Sequence, residues 1–410
     1  MTIATRDGET KYYKFFGRDL SRDGYTYQLG LNIDPKPFNP SGYCQPGGFY
    51  LTTPEHLFNY YNYGPYLGIV SLPPNAQIYQ EKNECKVDQL VLEKIVTGEE
   101  DLLQIFQTIT KKYGSQTMPR NMCQIAASHG HLKVLKWARE NGCEWDEYIC
   151  AYAAKNGHLD VLKWAKENDC PWNTDTCAYA ADNGHLDVLK WARENGCPWD
   201  TDTCAYAAME DHLDVLKWAR ENDCPWDEET CEYAARNGHL DVLKWARENG
   251  CPWDESVCTK AAEYGHLDVL KWARENGCPW DKSVCTVAAK NGHLDVLKWA
   301  RENDCPWDEE TCEYAARNGH LDVLKWAREN DWPRDEQACE YAAKEGHLDM
   351  LTWAQKLSYP YTAIHIDKYN TIYKYLSHNQ GERPSPFNPL LRNLRGSTPP
   401  PLTPCCVIQR

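Results

Sequence analysis

A histidine recurs every 27 residues through the middle of this 410-residue chain, at His131, His158, His185, His212, His239, His266, His293, His320 and His347, with no insertion between any two. Tryptophan keeps the same period from Trp137 to Trp353, and cysteine keeps it from Cys123 to Cys339. Nine uninterrupted copies mean one supersecondary unit stacked on itself, since a fixed period is the mark of a repeat architecture. Residues 227 to 249 and 308 to 330 are identical, which points to duplication of whole blocks.

One copy, Asp227 to Trp253, is enough to read the unit. Asp227 followed by Glu228, Glu229 and Thr230 is a helix N-cap with acids in the first turn, where unpaired N–H groups and the helix dipole favour negative charge. The first helix runs through Cys231, Tyr233, Ala234 and Ala235 and ends at Asn237-Gly238, a pair suited to a left-handed cap. From His239, Leu240, Val242, Leu243, Trp245 and Ala246 recur at helical spacing while Asp241, Lys244, Arg247 and Glu248 take the wet face. Asn249-Gly250 closes the second helix, and Pro252 prevents its continuation. Neither helix buries its apolar side alone, so the pairs must stack into a helix-turn-helix solenoid of about nine repeats.

The run Ala234-Ala235-Arg236-Asn237-Gly238-His239-Leu240-Asp241-Val242-Leu243-Lys244-Trp245 resembles the ankyrin-repeat core. The resemblance covers residues 119 to 357 and implies a mainly α, right-handed ankyrin-like solenoid that binds proteins. The familiar ankyrin unit has six more residues, and the gap falls between Cys251 and Cys258, where that family carries its β-hairpin finger. Fingers are therefore not expected. The wording Gly-His-Leu-Asp-Val-Leu-Lys-Trp-Ala and Cys-Pro-Trp-Asp is similar to ankyrin arrays of giant DNA viruses of protists. Tyr12-Tyr13-Lys14-Phe15, Gly30-Leu31-Asn32, Pro37-Phe38-Asn39-Pro40 and Cys44-Gln45-Pro46-Gly47-Gly48-Phe49-Tyr50 resemble an N-terminal domain that recurs in those proteins, and no activity comes with it.

Outside the repeats, short aromatic and β-branched runs (Phe49 to Thr53, Tyr66 to Leu72, Val87 to Leu92) separated by Pro and Gly predict a small β-rich domain over residues 1–92. Residues 93–118 are expected to form a helical connector that caps the first repeat. The array occupies 119–357, and Ile364, Ile366, Tyr369, Ile372, Tyr373 and Leu376 give 358–378 the pattern of a capping helix. Residues 379–410, rich in Pro, Ser, Asn and Arg, predict a disordered tail. Its end, Cys405-Cys406-Val407-Ile408-Gln409-Arg410, resembles a prenylation box displaced by one residue and fails the motif as written.

Forty-four Lys plus Arg against sixty Asp plus Glu give a net charge of −16, a sign that repels phosphate backbones. Nucleic acid is not an expected partner, and no apolar run is long enough to span a membrane. The N-terminus carries charges where a signal peptide needs an apolar core, so the reading is an intracellular protein, in the host-cell cytoplasm, with virion or nucleus left open. Twenty cysteines on a repeat in such a chain read as reduced thiols. Cysteine and histidine in every copy invite a zinc reading, through pairs such as Cys251 and Cys258. The spacing is no zinc knuckle, however, and Trp332 replaces one member of the eighth copy, so buried packing is the reading preferred and no cofactor or metal is expected.

A Cys-His nucleophile repeated nine times would mean nine equivalent active sites, so no enzyme is expected in the array. An N-terminal enzyme would have Cys44 and His56 as its candidates. The nine histidines are assigned to the turns, bonding backbone groups and linking neighbouring copies. Trp245 and its equivalents are read as core, and Trp253 and its equivalents as either covering the joint between copies or facing solvent, with the structural role preferred. In copy four, Asp211 stands where the turn has glycine, and Met209, Glu210 and Asp211 together leave the consensus.

The informative positions are those that vary inside a rigid unit. Two residues after each first-helix cysteine stand Tyr152, Tyr179, Tyr206, Tyr233, Lys260, Val287, Tyr314 and Tyr341. In ankyrin-like stacks this position looks onto the concave face. The tyrosines either form a partner-binding stripe interrupted at Lys260 and Val287, or pack on each other between copies. The functional expectation is a non-catalytic, monomeric scaffold that binds a host or viral protein with a basic surface. The alternative is a substrate adaptor recruiting a host enzyme such as a ubiquitin ligase.

Overall fold

The computed structural model describes residues 11–22, 24–40, 45–330, 341–342, 345–347, 349–350 and 353. Cys44, Trp332, the expected capping helix, the tail and the Cys405-Cys406 pair lie outside the described residues. The chain divides into two compact units, Met1–Trp199 and Asp200–Arg410.

The first unit opens with an antiparallel sheet built from β1 (Tyr12–Phe16), β4 (Gly30–Ile33), β5 (Phe49–Thr52), β6 (Tyr66–Ser71), β7 (Ile78–Gln80), β8 (Glu84–Val87) and β9 (Gln89–Val96) in the order β4-β9-β6-β1-β5-β8-β7. A small ribbon of β2 (Ser21–Arg22) and β3 (Tyr25–Thr26) lies apart from it. β1 sits in the centre of the sheet, with Phe15 opposite Leu67 and Phe16 opposite Tyr66 on β6. One face buries Phe16, Phe49, Leu51, Val70 and Leu92 under the rings of Tyr25 and Tyr27. Lys86 is fully buried, and its ammonium donates to the carbonyls of Asn39 and Gln45, both at 2.8 Å, which fastens those two residues to the sheet.

The run expected as one strand from Val87 to Leu92 is two strands meeting at Asp88. The Asp88 carboxylate accepts from the Gln77 N–H at 2.7 Å and its carbonyl from the Asp34 N–H at 3.0 Å, so hydrogen bonds to other segments separate the two strands at that residue. β9 then continues past residue 92 to Val96.

The other face of the sheet carries a 3-10 helix (Pro54–Tyr63) and α1 (Glu99–Tyr113), and the aromatic cluster they share leads into the first repeat. Phe15, Phe58, Tyr61 and Phe106 pack with centroids 5.0 to 6.5 Å apart. The helices α2 (Met122–His129) and α3 (Leu132–Glu140) follow, and Trp137 of α3 stacks on Phe58 at 6.4 Å. Glu99 at the start of α1 accepts from the N–H groups of Lys133 and Val134, occupying donors that an α-helix leaves open in its first turn. Two more pairs complete the unit: α4 (Glu147–Lys155) with α5 (Leu159–Glu167), and α6 (Thr174–Asp182) with α7 (Leu186–Glu194).

The second unit continues the pattern. Its pairs are α8 (Thr201–Met209) with α9 (Leu213–Glu221), α10 (Glu228–Arg236) with α11 (Leu240–Glu248), and α12 (Glu255–Glu263) with α13 (Leu267–Glu275). α14 (Ser283–Asn291) with α15 (Leu294–Glu302) and α16 (Glu309–Asn318) with α17 (Leu321–Glu329) follow. Within each unit, first helices lie beside first helices, and fully buried alanines such as Ala234, Ala235, Ala261 and Ala262 let them approach. Asp227 and Asp254 cap their helices by accepting from the N–H two residues on, at 3.2 and 2.9 Å. Together with the strand-rich beginning, these consecutive helix pairs are the ankyrin-type repeat fold that the sequence predicts.

In the first seven copies, two backbone positions are left-handed, with different tolerances. The one closing the second helix is open: a Cβ built on Gly250 or Gly277 meets nothing, and Asp169, Asp223 and Asp304 hold the same conformation at φ of 60 to 63°. The one in the turn before the histidine is crowded. A Cβ on Gly238 would come within 2.7 Å of the His266 ring in the next copy. Asp211 departs from this at φ 62°, with its carboxylate 3.8 Å from Nδ1 of His239.

Candidate protein-binding surface

The histidines tie copies together from the turn. In His158 the backbone N–H donates to the Ala153 carbonyl at 2.9 Å, and Nε2 donates to the Ser128 carbonyl, 30 residues earlier, at 3.1 Å. His239, His266, His293, His320 and His347 repeat the second bond to Met209, Arg236, Glu263, Lys290 and Arg317 at 2.8 to 3.1 Å. The His185 ring covers Gly157 in the same way. His131 differs, because the sheet-bearing end of the unit stands where an earlier copy would: its Nδ1 meets the Tyr61 hydroxyl at 2.6 Å, and it is 8% exposed. His212 opens α9 as the residue before Leu213, with the same backbone bond to Ala207 at 2.9 Å.

The cysteines pair in a way that the spacing did not suggest. Cys251 does not join Cys258, seven residues on, but hydrogen-bonds Cys231, its partner in the same copy. In the first copy the N–H of Cys123 donates to the sulfur of Cys143 at 3.2 Å. The loop thiol in turn donates to the N-cap carbonyl, as Cys251 does to Asp227 at 3.4 Å. The bond to the partner thiol, and then burial, push Cys170, Cys197 and Cys251 far above the ordinary thiol range, so they are protonated and poor nucleophiles at neutral pH. Among the described residues, no group of three or more His, Cys, Asp or Glu is arranged to hold a metal ion. His56 stands on the 3-10 helix beside Glu55 at 3.6 Å.

The second-helix tryptophans are less buried than their leucine-like positions predict. Trp137 is covered by Phe58 and Phe106, but Trp164, Trp191, Trp218, Trp245, Trp272, Trp299 and Trp326 are half-buried. Joints within the second unit have a composite surface. The Arg247 guanidinium lies 4.2 Å from the loop ring of Trp253, which meets Trp272 of the next copy edge-on at 5.9 Å. Arg274 with Trp280 and Arg301 with Trp307 repeat the arrangement at 4.2 and 4.1 Å. The signal available in the sequence was the Lys or Arg that precedes each tryptophan pair at fixed distance.

The stripe positions are half-buried on the first helices, Tyr152 and Tyr179 in the first unit and Tyr206, Tyr233, Lys260, Val287, Tyr314 and Tyr341 in the second. Cations from the preceding copy cover several rings: Lys155 over Tyr179 at 5.3 Å, Lys290 over Tyr314 at 6.0 Å and Arg317 over Tyr341 at 4.0 Å. Burial and then the neighbouring carboxylates, Glu229 first, raise the Tyr233 hydroxyl above its usual range, a measure of how acidic this stretch is. α12 and α14 break it. Where the flanking copies carry Glu229, Glu232, Glu310 and Glu313, these helices carry Ser256, Thr259, Ser283 and Thr286. Thr259 and Ser283 hydrogen-bond across the copies at 3.1 Å, Lys260 pairs with Glu263 at 3.0 Å and Lys282 with Asp308 at 2.6 Å. Tyr264, at 42% exposed, stands beside this window where five of the other copies have asparagine.

Against this geometry, the family profile for ankyrin repeats (many copies) matches residues 123–165, 258–301 and 312–355. Ankyrin repeat protein R868 of Acanthamoeba polyphaga mimivirus is 30% identical over 135 residues, which span 32% of this chain and 67% of that protein. The chain belongs to this family of viral ankyrin-repeat proteins. Two more ankyrin repeat proteins of the same virus are similar: R896 at 28% over 142 residues, and R229 at 36% over 63 residues. The matches span 41% and 20% of those two proteins, and 32% and 15% of this chain. Ankyrin repeats generally mediate protein–protein interaction. Among the described residues, no helix is long and apolar enough to cross a membrane.

Proposed function

We propose that this ankyrin-repeat protein is a non-catalytic scaffold that holds a host or viral protein on the first-helix side of its repeats, in the host-cell cytoplasm. The division into sheet domain, connector, array and cap is part of the same proposal. The observation that carries it is the change at α12 and α14: the second helices α7, α9, α11, α13, α15 and α17 keep one wording, while the first-helix surface changes from acid and tyrosine to Ser, Thr, Lys and Val. In a repeat whose scaffold positions are fixed by packing, outward differences supply specificity. Acidic flanks suit a partner with a basic surface, and half-buried tyrosines provide rigid amphipathic contact area.

The experiment is quantitative affinity capture from host cells with the full chain, the combined Tyr233→Ala and Tyr314→Ala variant, Lys260→Glu, and Arg247→Ala on the second-helix side. A near-stoichiometric partner that is lost with the first two and kept with the third supports the reading. A partner kept by all three places recognition elsewhere, and co-capture of ligase subunits favours the adaptor role.

A further inference from the structure

The two ends of the sheet in the first unit are finished differently. β7 ends in a turn where the Gln80 side chain donates to the carbonyls of Glu81 and Glu84 at 3.0 and 3.1 Å, with Glu81 and Lys82 beside it. Charge next to an edge strand is a common guard against further pairing. Among the described residues, β4, at the other end, pairs on one side only, with β9. Its residues Gly30-Leu31-Asn32-Ile33 carry no charge.

The open side of β4 is prepared in both backbone and side chains. The Asp34 N–H donates to Asp88 at 3.0 Å, and the register places Asn32 opposite Leu90 and Gly30 opposite Leu92. Backbone groups alternate in direction along an antiparallel strand, so Asp34, Asn32 and Gly30 face β9, while Leu31 and Ile33 turn their N–H and C=O groups to the open side. The same residues leave their side chains in water: Leu31 is 49% exposed, Ile33 56% and the preceding Leu29 62%. These are three of the five large apolar side chains exposed among the described residues. The strand is also stiffened, because the buried Asn32 side chain donates to the carbonyls of Gln28 and Gly30 at 2.7 and 2.9 Å and accepts from the Gln28 N–H at 3.0 Å.

We infer that β4 is a docking edge for an extended segment of a partner protein, which adds to the sheet as a further strand with apolar side chains at alternate positions and basic residues at its ends. Main-chain bonds to Leu31 and Ile33 would supply affinity, and the apolar row would select the alternation. A basic residue at the end beside Ile33 follows from Asp34 and Asp88, which meet there, and the charge of −16 makes a basic segment the better occupant overall. The same charge disfavours a second copy of this chain as the occupant, since two such chains repel. This inference rests on no part of the helical surface proposed above.

The test is fluorescence polarisation of the full chain with a labelled peptide, Lys-Val-Thr-Val-Thr-Val-Thr-Lys, and with the same peptide N-methylated at alternate residues. Saturable binding is expected, weakened about tenfold or more by combined Leu31→Lys and Ile33→Lys and by N-methylation, and kept by Gln80→Lys at the opposite edge. The milder Leu31→Thr variant should weaken binding with an unchanged melting curve, which separates loss of docking from loss of folding. Absence of saturable binding, or equal binding to the double variant, overturns the inference. Sedimentation showing a dimer that the double variant abolishes also overturns it, by giving the edge to a second copy.

Discussion

The first and the fifth copies of the repeat are worded almost alike from histidine to tryptophan and live in different surroundings. His131 is buried against Tyr61 and Trp137 lies under Phe58 and Phe106. His239 bonds a carbonyl of the copy before it, and Trp245 is half-buried against Trp226 at 6.0 Å. One unit thus has two uses. An interior copy is completed by its neighbour, whereas the first is completed by aromatic residues of unrelated sequence, and the burial that results is deeper.

Breaking the aromatic seal should have the largest effect. Phe106→Ala removes a fully buried ring and is expected to destabilise the first unit by about 3–5 kcal/mol, read as loss of amide exchange protection in α2 and α3. Acid should act on the same place. Burial, and then neighbouring charge, hold His129 down to about 3 and His131 to about 4. The unfolded chain regains a value near 6.5 and binds more protons below it, so the contribution is complete above about pH 6.5 and is lost as pH falls toward 4 and then 3. On the order of a few kcal/mol should disappear in that window, and a pH series of thermal melts checks it. A variant with both histidines changed to glutamine should flatten the series.

Interior copies should respond more mildly, and differently at their two left-handed positions. Gly238→Ala should cost about 2 kcal/mol, because the backbone is strained and His266 must move, whereas Gly250→Ala should cost about 1 kcal/mol from the backbone alone. Equal losses in denaturant titrations would remove the distinction. The smallest change is expected from Arg247→Ala, which uncovers Trp253 and should cost at most about 1 kcal/mol, with a detectable shift in tryptophan emission.

Much of this architecture was legible because repetition multiplies weak local cues. The Asp227 cap, the Asn237-Gly238 stop and the spacing of Val242, Leu243 and Ala246 each recur, and each element stands where those cues place it. The sheet was only partly legible. Tyr12–Phe16 is apolar or aromatic on both sides with a buried lysine in the middle, so no alternation marked it as the central strand. Phe49–Thr52 and Tyr66–Ser71 agree with their expected runs, while Asp88 divided the third through hydrogen bonds to residues distant in sequence. The pairing of Cys231 with Cys251 was hidden because the two lie on different segments of one copy, and the shorter interval to Cys258 drew attention instead. Trp245 has the spacing of a core residue, and only the neighbouring copy determines how much of its ring stays wet.

The reach of the histidine bond sets a rule for how such a chain can change length. His266 takes its carbonyl from Arg236, Cys251 finds its thiol partner inside its own copy, and Trp253 finds its ring partner in the next. Each of these ties ends within the adjoining copy, so removing 27 residues, or inserting 27, restores every one of them with an equivalent residue. A cut of any other size leaves a histidine facing the wrong backbone group. Recombination between the identical stretches 227–249 and 308–330 would therefore yield a shorter or longer protein with its joints intact, and length becomes a quantity that can be adjusted in whole steps while the means of holding neighbours together stays the same.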